Sequence, residues 1–435
     1  MILRKFFALA ALLLLAFALS CSGDNSNNNS GSGDSSSSSG GTSGGEDDPP
    51  IYIIDPDRDD LGLDSAIIIK FENGTPVIDN PSEGNVVVSS NGGHVIVTVN
   101  TSTEYNLIVS GATSNGSVKI YGQPSINMGL YLRGVDITNP TGPAINIQRG
   151  GRILVHLVEN TLNKLADGAN YGPTGGEDAK GTFFSERKLR FQGTGSLEIR
   201  SKYNHAIAVD NDIDIEYGKI TVIESKNDCI HANDKIHITG GTLNLTCEGD
   251  AIQNEALPIR ISGGRITAKT SGIKSHGIIS ADSLIISEEA IIDIVARGNG
   301  SKGMRADGPI LINGGDTKIE THGGVHIDNS VSPPDTNSST GIKARNDIEI
   351  RKGKLKVVST GTRIKGINTD GDFKMSDGDL NIEATDDGIK VHGDLSITGG
   401  KVTIKARDGI DCNNACYLGL NATVNITDRN SQGGF

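Results

Sequence analysis

The chain has 435 residues, a formal net charge of −13, no Trp, only 4% aromatic residues and 57 Gly. So acidic a balance argues against recruitment to nucleic acid or to an anionic membrane surface by long-range attraction, and an acidic ligand would need a local basic strip or a bridging cation. The scarcity of large rings argues against a flat aromatic platform for crystalline cellulose and leaves Tyr105, Tyr121, Tyr171 and Tyr203 to stack on sugars singly.

Residues 1–20 open with Arg4 and Lys5, run through an apolar stretch from Phe6 to Leu19, and end in Ala18-Leu19-Ser20 before Cys21. A charged start, an apolar middle and small residues at the end predict an export signal rather than a membrane span. Its end resembles a bacterial lipobox, which implies lipidation at Cys21; Ser22 behind it fits sorting to an outer membrane. Ordinary secretion with cleavage nearby is the alternative. Residues 21–50 are almost wholly Ser, Gly, Asn and Asp, a composition that buries too little to fold and predicts a tether of roughly 30 Å reach.

From residue 51 to 165, short alternating segments such as Val95-Val97-Val99, Leu130-Leu132 and Ile153-Val155 lie between Gly, Asn and Pro turns. They predict the cap and first rungs of a solenoid, with a separate small β-sandwich as the alternative. Residues 167–180 lack apolar periodicity and predict a projecting loop. From 166 to 427 the pattern is regular: a glycine turn (Gly218, Gly240-Gly241, Gly263-Gly264), an alternating strand, a polar turn reaching a buried Ile, and a further short strand. Three short strands in a period of about 23 residues predict an all-β, right-handed parallel β-helix whose rungs stack about 4.8 Å apart. The segment SVSPPDTNSST around Pro333-Pro334 predicts a second loop, and residues 428–435 a frayed tail.

The segments Ala144-Ile145 to Asn160-Thr161-Leu162, Ala179 to Ser185, Lys188-Leu189 and Gly193 to Leu197, with the GG-T and D-G-I repeats behind them, carry a resemblance. Over residues 67–414 the chain resembles a bacterial family of carbohydrate-binding parallel β-helix proteins. That resemblance implies a pectate-lyase-like fold, bound Ca²⁺ and binding of acidic plant polysaccharide such as polygalacturonate. Cys229 and Ala251 depart from it, standing where D-G-I turns have Gly.

Stacking equivalent positions turns the repeats into columns. Alignment on Ile207, Ile230, Ile252, Ile273, Met304, Ile342, Ile367, Ile389 and Ile410 sets His205, Asp228, Asp250, Ser271, Lys302, Thr340, Lys365, Asp387 and Asp408 in one column. Carboxylates about 5 Å apart repel, so Asp228 over Asp250, and Asp386 and Asp387 near Asp408, invite a cation. Hard oxygen donors at irregular turns suit Ca²⁺, with Asp234 at the next turn; the other use of such Asp residues is to close turns on the main chain. The residue after each Ile gives a second column in which Lys274, Arg305, Lys343 and Lys390 form a basic stripe. It would meet polyuronate carboxylates, supply the base of a lyase from Lys274 or Arg305, or simply keep the face solvated. A third column, with Asp307, Asp347 and Asp370, would serve calcium or pair with the stripe.

An oxidising compartment allows Cys229–Cys247 and Cys412–Cys416 disulfides, and buried free thiols are equally compatible. The sequence therefore predicts a tethered, non-catalytic protein at the cell surface that binds acidic polysaccharide with calcium. A calcium-dependent pectate lyase is the first alternative, and an adhesin or structural spike the second.

Overall fold

The computed structural model describes residues 65–287 and 289–428. The predicted export signal, Cys21, the predicted linker and the final seven residues lie outside them. Among the described residues there is no helix, and stacked parallel coils build a β-solenoid of about 13 turns.

Three parallel ladders enclose one continuous apolar core. The first carries the column Ile145, Phe183, Ile207, Ile230, Ile252, Ile278, Met304, Ile342, Ile367, Ile389 and Ile410. The second runs through Ile213, Ile236, Ile259, Leu284 and Ile310, and the third through Ile220, Leu243, Ile266 and Ile292. Period-2 alternation puts these residues inside, at 0–1% exposure except for the partly buried Ile410 on the last rung, because each strand hides one face only. Long strands at both ends, Tyr105–Thr113, Met128–Asn139, Leu395–Ala406 and Cys416–Asp428, continue round a corner and join the second and third ladders into one sheet.

The solenoid begins with two antiparallel hairpins, Ile67–Glu72 with Thr75–Asp79 and Val86–Asn91 with Gly93–Val99. Parallel pairing then runs from Gly93–Val99 through Gly116–Tyr121 to Ile145–Arg149, in the same ladder as the later rungs. The predicted second loop folds as its own hairpin, Val325–Asp328 against Asp335–Ser338. Cys412 and Cys416 form a disulfide, whereas Cys229 and Cys247 are free thiols in the core.

The register corrects one rung of the sequence alignment. Ile252 stands beneath Ile278, not Ile273, so the column member two residues earlier is His276 and not Ser271, and the outward residue is Ile279 and not Lys274. The turn before Ile278 is longer than those before Ile230 and Ile252, and Gly272-Ile273 imitates the repeat inside it; Ile273 is 63% exposed. Close packing selects the true pair. A Cβ on Gly277 would stand 2.3 Å from Ile294 Cγ2, and one on Gly303 would stand 2.1 Å from Ile319 Cγ2. The departure at Ala251 has the complementary cause: one rung below Ile294 the third ladder carries Ala268, which leaves room for a methyl group.

Gly303→Ala is therefore expected to lower unfolding stability by about 1–3 kcal/mol, the usual cost of overpacking a filled core. Urea denaturation followed by far-UV circular dichroism checks it, and an unchanged midpoint would contradict this packing.

Candidate functional site

The first ladder gathers the ionisable groups. Its corner column reads His205, Asp228, Asp250, His276, Lys302, Thr340, Lys365, Asp387 and Asp408, in register with the buried Ile positions. The main chain makes this column, since each polar turn before the Ile must repeat at the same corner. Its members answer charge crowding in three ways.

At the lower end, Asp228 Oδ2 lies 3.0 Å from His205 Nδ1 and 3.1 Å from His231 Nδ1, and its Oδ1 accepts the Asp250 amide N–H at 2.7 Å. Burial opposes ionisation of Asp228, yet the two imidazoles and that amide prevail and hold its pKa at about 2. One rung up, burial and then the Asp228 charge push Asp250 up to about 7. Below about pH 7 the pair avoids double ionisation by keeping a proton. Asp234 lies away from it at the following turn, where its carbonyl accepts from Asn254 Nδ2 at 2.9 Å.

In the middle, the Lys302 amide N–H donates to His276 Nδ1 at 3.0 Å, which leaves that ring nitrogen unprotonated. Burial, followed by the charges of Lys302 and Arg305, lowers His276 to about 3. Lys302 is only 8% exposed, and its Nζ donates to Gly300 O at 2.8 Å. Burial, then Arg305, Lys343 and Lys274, brings its pKa down to about 8. Lys274 thus leaves the predicted column but stays in the patch. Its Nζ reaches Asp335 Oδ2 of the inserted hairpin at 3.4 Å. Arg305 and Lys343 are neighbours in register, with Lys390 two rungs beyond Lys343. Arg305 pairs with Asp307 at 2.8 Å, Lys343 with Asp370, and Lys390 with Asp411 at 2.7 Å. Asp347 instead faces Lys374 at 3.8 Å.

At the upper end, Asp386, Asp387 and Asp408 do converge. Two cations are already among them: Lys365 Nζ lies 2.6 Å from Asp386 and 3.0 Å from Asp387, and an Arg407 guanidinium nitrogen lies 2.6 Å from Asp386 and 2.7 Å from Asp408. A Ca²⁺ with its six to eight oxygen ligands fits this cluster only if Lys365 and Arg407 leave it. The lower cluster offers two ring nitrogens, a poor match to the same hard ion.

The tyrosines also divide. Tyr105 is buried, and Tyr171 stacks on Tyr203 with ring centroids 3.9 Å apart. Loop 167–180 is tied down by the buried Asp167, which accepts from Tyr171 Oη at 2.7 Å, Thr182 Oγ1 at 2.9 Å and the Lys202 amide at 2.6 Å. Sequence reasoning missed this anchor, and it missed His276 and His231 as members of the charged corner. Stacking that polar turn on Ile278 would have found His276, whereas His231 follows the correctly aligned Ile230 and only the fold shows its ring turning to Asp228.

Fold and site together define a parallel β-solenoid with a charged face along one ladder. The model of the carbohydrate-binding domain-containing protein family matches residues 91–365 and 358–428, and the chain belongs to that family. A carbohydrate-binding domain-containing protein of Acetivibrio thermocellus is 28% identical over 115 residues, which span 26% of this chain and 40% of that protein. A solved polysaccharide lyase-like protein from C. thermocellum, a gadolinium derivative, aligns with 23% identity and a TM-score of 0.41, over 59% of this chain and 95% of that one.

Lys302 supplies a signed pH test. Between about pH 8 and the unfolded-state value of 10.5, the unfolded chain binds more protons than the folded one, so stability rises with pH across that window. Below pH 8 both states are charged and the burial cost is fully present. Lys302→Met is expected to stabilise the protein at pH 7 by an amount on the order of 1 kcal/mol or more and to abolish the rise. Denaturation midpoints at pH 7, 9 and 11 measure both.

Proposed function

We propose that the protein binds acidic polysaccharide along the first ladder, centred on Lys274, Lys302, Arg305 and Lys343. The observation that carries this reading is their clustering: four cations of an acidic chain gather beside the Val325–Ser338 hairpin, close enough that Arg305, Lys343 and Lys274 all lower the pKa of Lys302. Their partners Asp307, Asp370 and Asp335 are exchangeable, because surface ion pairs hold by no more than about 1 kcal/mol and a row of uronate carboxylates offers the same contact repeatedly. Family membership supports a carbohydrate ligand. Export and tethering through a lipid on Cys21 at an outer membrane belong to the same reading, and Cys21→Ala would release the protein from the membrane fraction.

Arg305→Ala and Lys343→Ala are each expected to weaken retention on polygalacturonate about tenfold, the loss of one charge-assisted contact, and added NaCl to weaken it further. Affinity electrophoresis reads this directly, and retention unaltered in the double variant would remove the patch. Calcium bridging through Asp386, Asp387 and Asp408 is the competing form of the reading. It predicts loss of retention in EDTA, whereas direct binding by the cations predicts none.

A second reading rests on Lys302. A lysine of pKa about 8 is partly neutral near that pH and suits a base that removes the proton α to a uronate carboxylate. Absorbance rising at about 235 nm during incubation with polygalacturonate, and absent in Lys302→Met, would establish the lyase. Retention without that rise leaves a binding protein.

A further inference from the structure

We infer that His205, Asp228 and His231 form a site for a divalent first-row transition metal of the Zn²⁺ or Co²⁺ type, separate from the polysaccharide patch. Each of the three side chains is more than nine-tenths buried, and one donor atom from each lies within 4.8 Å of the others. They come from two successive rungs and from both sides of the main chain: His205 and Asp228 from the corner column, His231 from the outward one. The imidazoles stack with centroids 4.3 Å apart, so both Nδ1 atoms approach the same oxygen, Asp228 Oδ2, at 3.0 and 3.1 Å. Tetrahedral metal–ligand bonds of about 2.0–2.1 Å put donor atoms roughly 3.3 Å apart, close to this spacing.

Two further observations point to a cation at the centre. His205 Nδ1 is buried and makes no aligned hydrogen bond despite its closeness to the carboxylate. His231 Nε2 lies 3.3 Å from Glu255 Oε1, the carboxylate–histidine relay that leaves Nδ1 free to ligate. Two ring nitrogens with one or two oxygens select zinc-like ions over Ca²⁺. The metal would cross-link neighbouring rungs below the binding face.

The test is titration of the full chain, stripped with chelator, with Co²⁺ alone, followed by visible ligand-field absorption and equilibrium dialysis. One Co²⁺ per chain is expected, displaced by Zn²⁺ and not by equimolar Ca²⁺. His205→Ala and His231→Ala should each abolish it, and Asp408→Asn should leave it intact. Glu255→Gln, at an exposed position, should weaken Co²⁺ binding roughly 10–100-fold without altering the fold, so it keeps the test decisive where a histidine variant fails to fold. Absence of stoichiometric uptake, uptake retained in both folded histidine variants, Glu255→Gln binding as tightly as the parent, or displacement by Ca²⁺ would overturn the assignment. None of these readouts involves polysaccharide, so they stand or fall independently of the binding face.

Discussion

The in-register parallel ladder is the interaction on which everything else depends. Main-chain hydrogen bonds hold successive rungs about 4.8 Å apart, so whatever a turn carries is repeated at that spacing in the next. For apolar positions the repetition is favourable: Ile207, Ile230, Ile252 and Ile278 fill one another's gaps, and the core extends as far as the stack does. For ionisable positions the same repetition brings like charges together, and each such contact needs an answer.

The answers differ along the solenoid and divide it chemically. Where two carboxylates meet at Asp228 and Asp250, the first is stabilised by imidazoles and the second holds its proton up to about pH 7. Where three meet at Asp386, Asp387 and Asp408, Lys365 and Arg407 stand between them. Between these regions the column turns basic at Lys302, and the neighbouring outward column supplies Arg305 and Lys343. A β-solenoid of nearly uniform shape thereby acquires a polarity along its length, with its cationic segment beside the inserted hairpin.

Irregularities in rung length matter because the ladder tolerates them only outside the strands. The longer turn before Ile278 moves Lys274 off the stripe, yet it points the residue toward Asp335 and so back to the cationic patch. The insertion after Gly324 folds as an antiparallel hairpin without disturbing the pairing of Met304 with Ile342. Loops thus vary the charged face while the core keeps its spacing.

The sequence by itself determined the solenoid, its three strands per rung, the inward apolar columns and the crowding of Asp386 and Asp387 with Asp408, because period-2 alternation and a repeated turn are local patterns. It also identified Arg305, Lys343 and Lys390 as one stripe. Tertiary structure alone decided which Gly-Ile pair occupies the rung of Ile278, since the choice rests on the 2.3 Å clearance between a Gly277 Cβ and Ile294, a residue of another ladder. It likewise decided that Lys365 and Arg407 neutralise the upper carboxylates, and that His231 turns to Asp228 while Lys302 is buried among other cations. Lys365 and Arg407 reach Asp386 from neighbouring rungs, and His231 reaches Asp228 across its own turn; no repeat pattern encodes such side-chain directions.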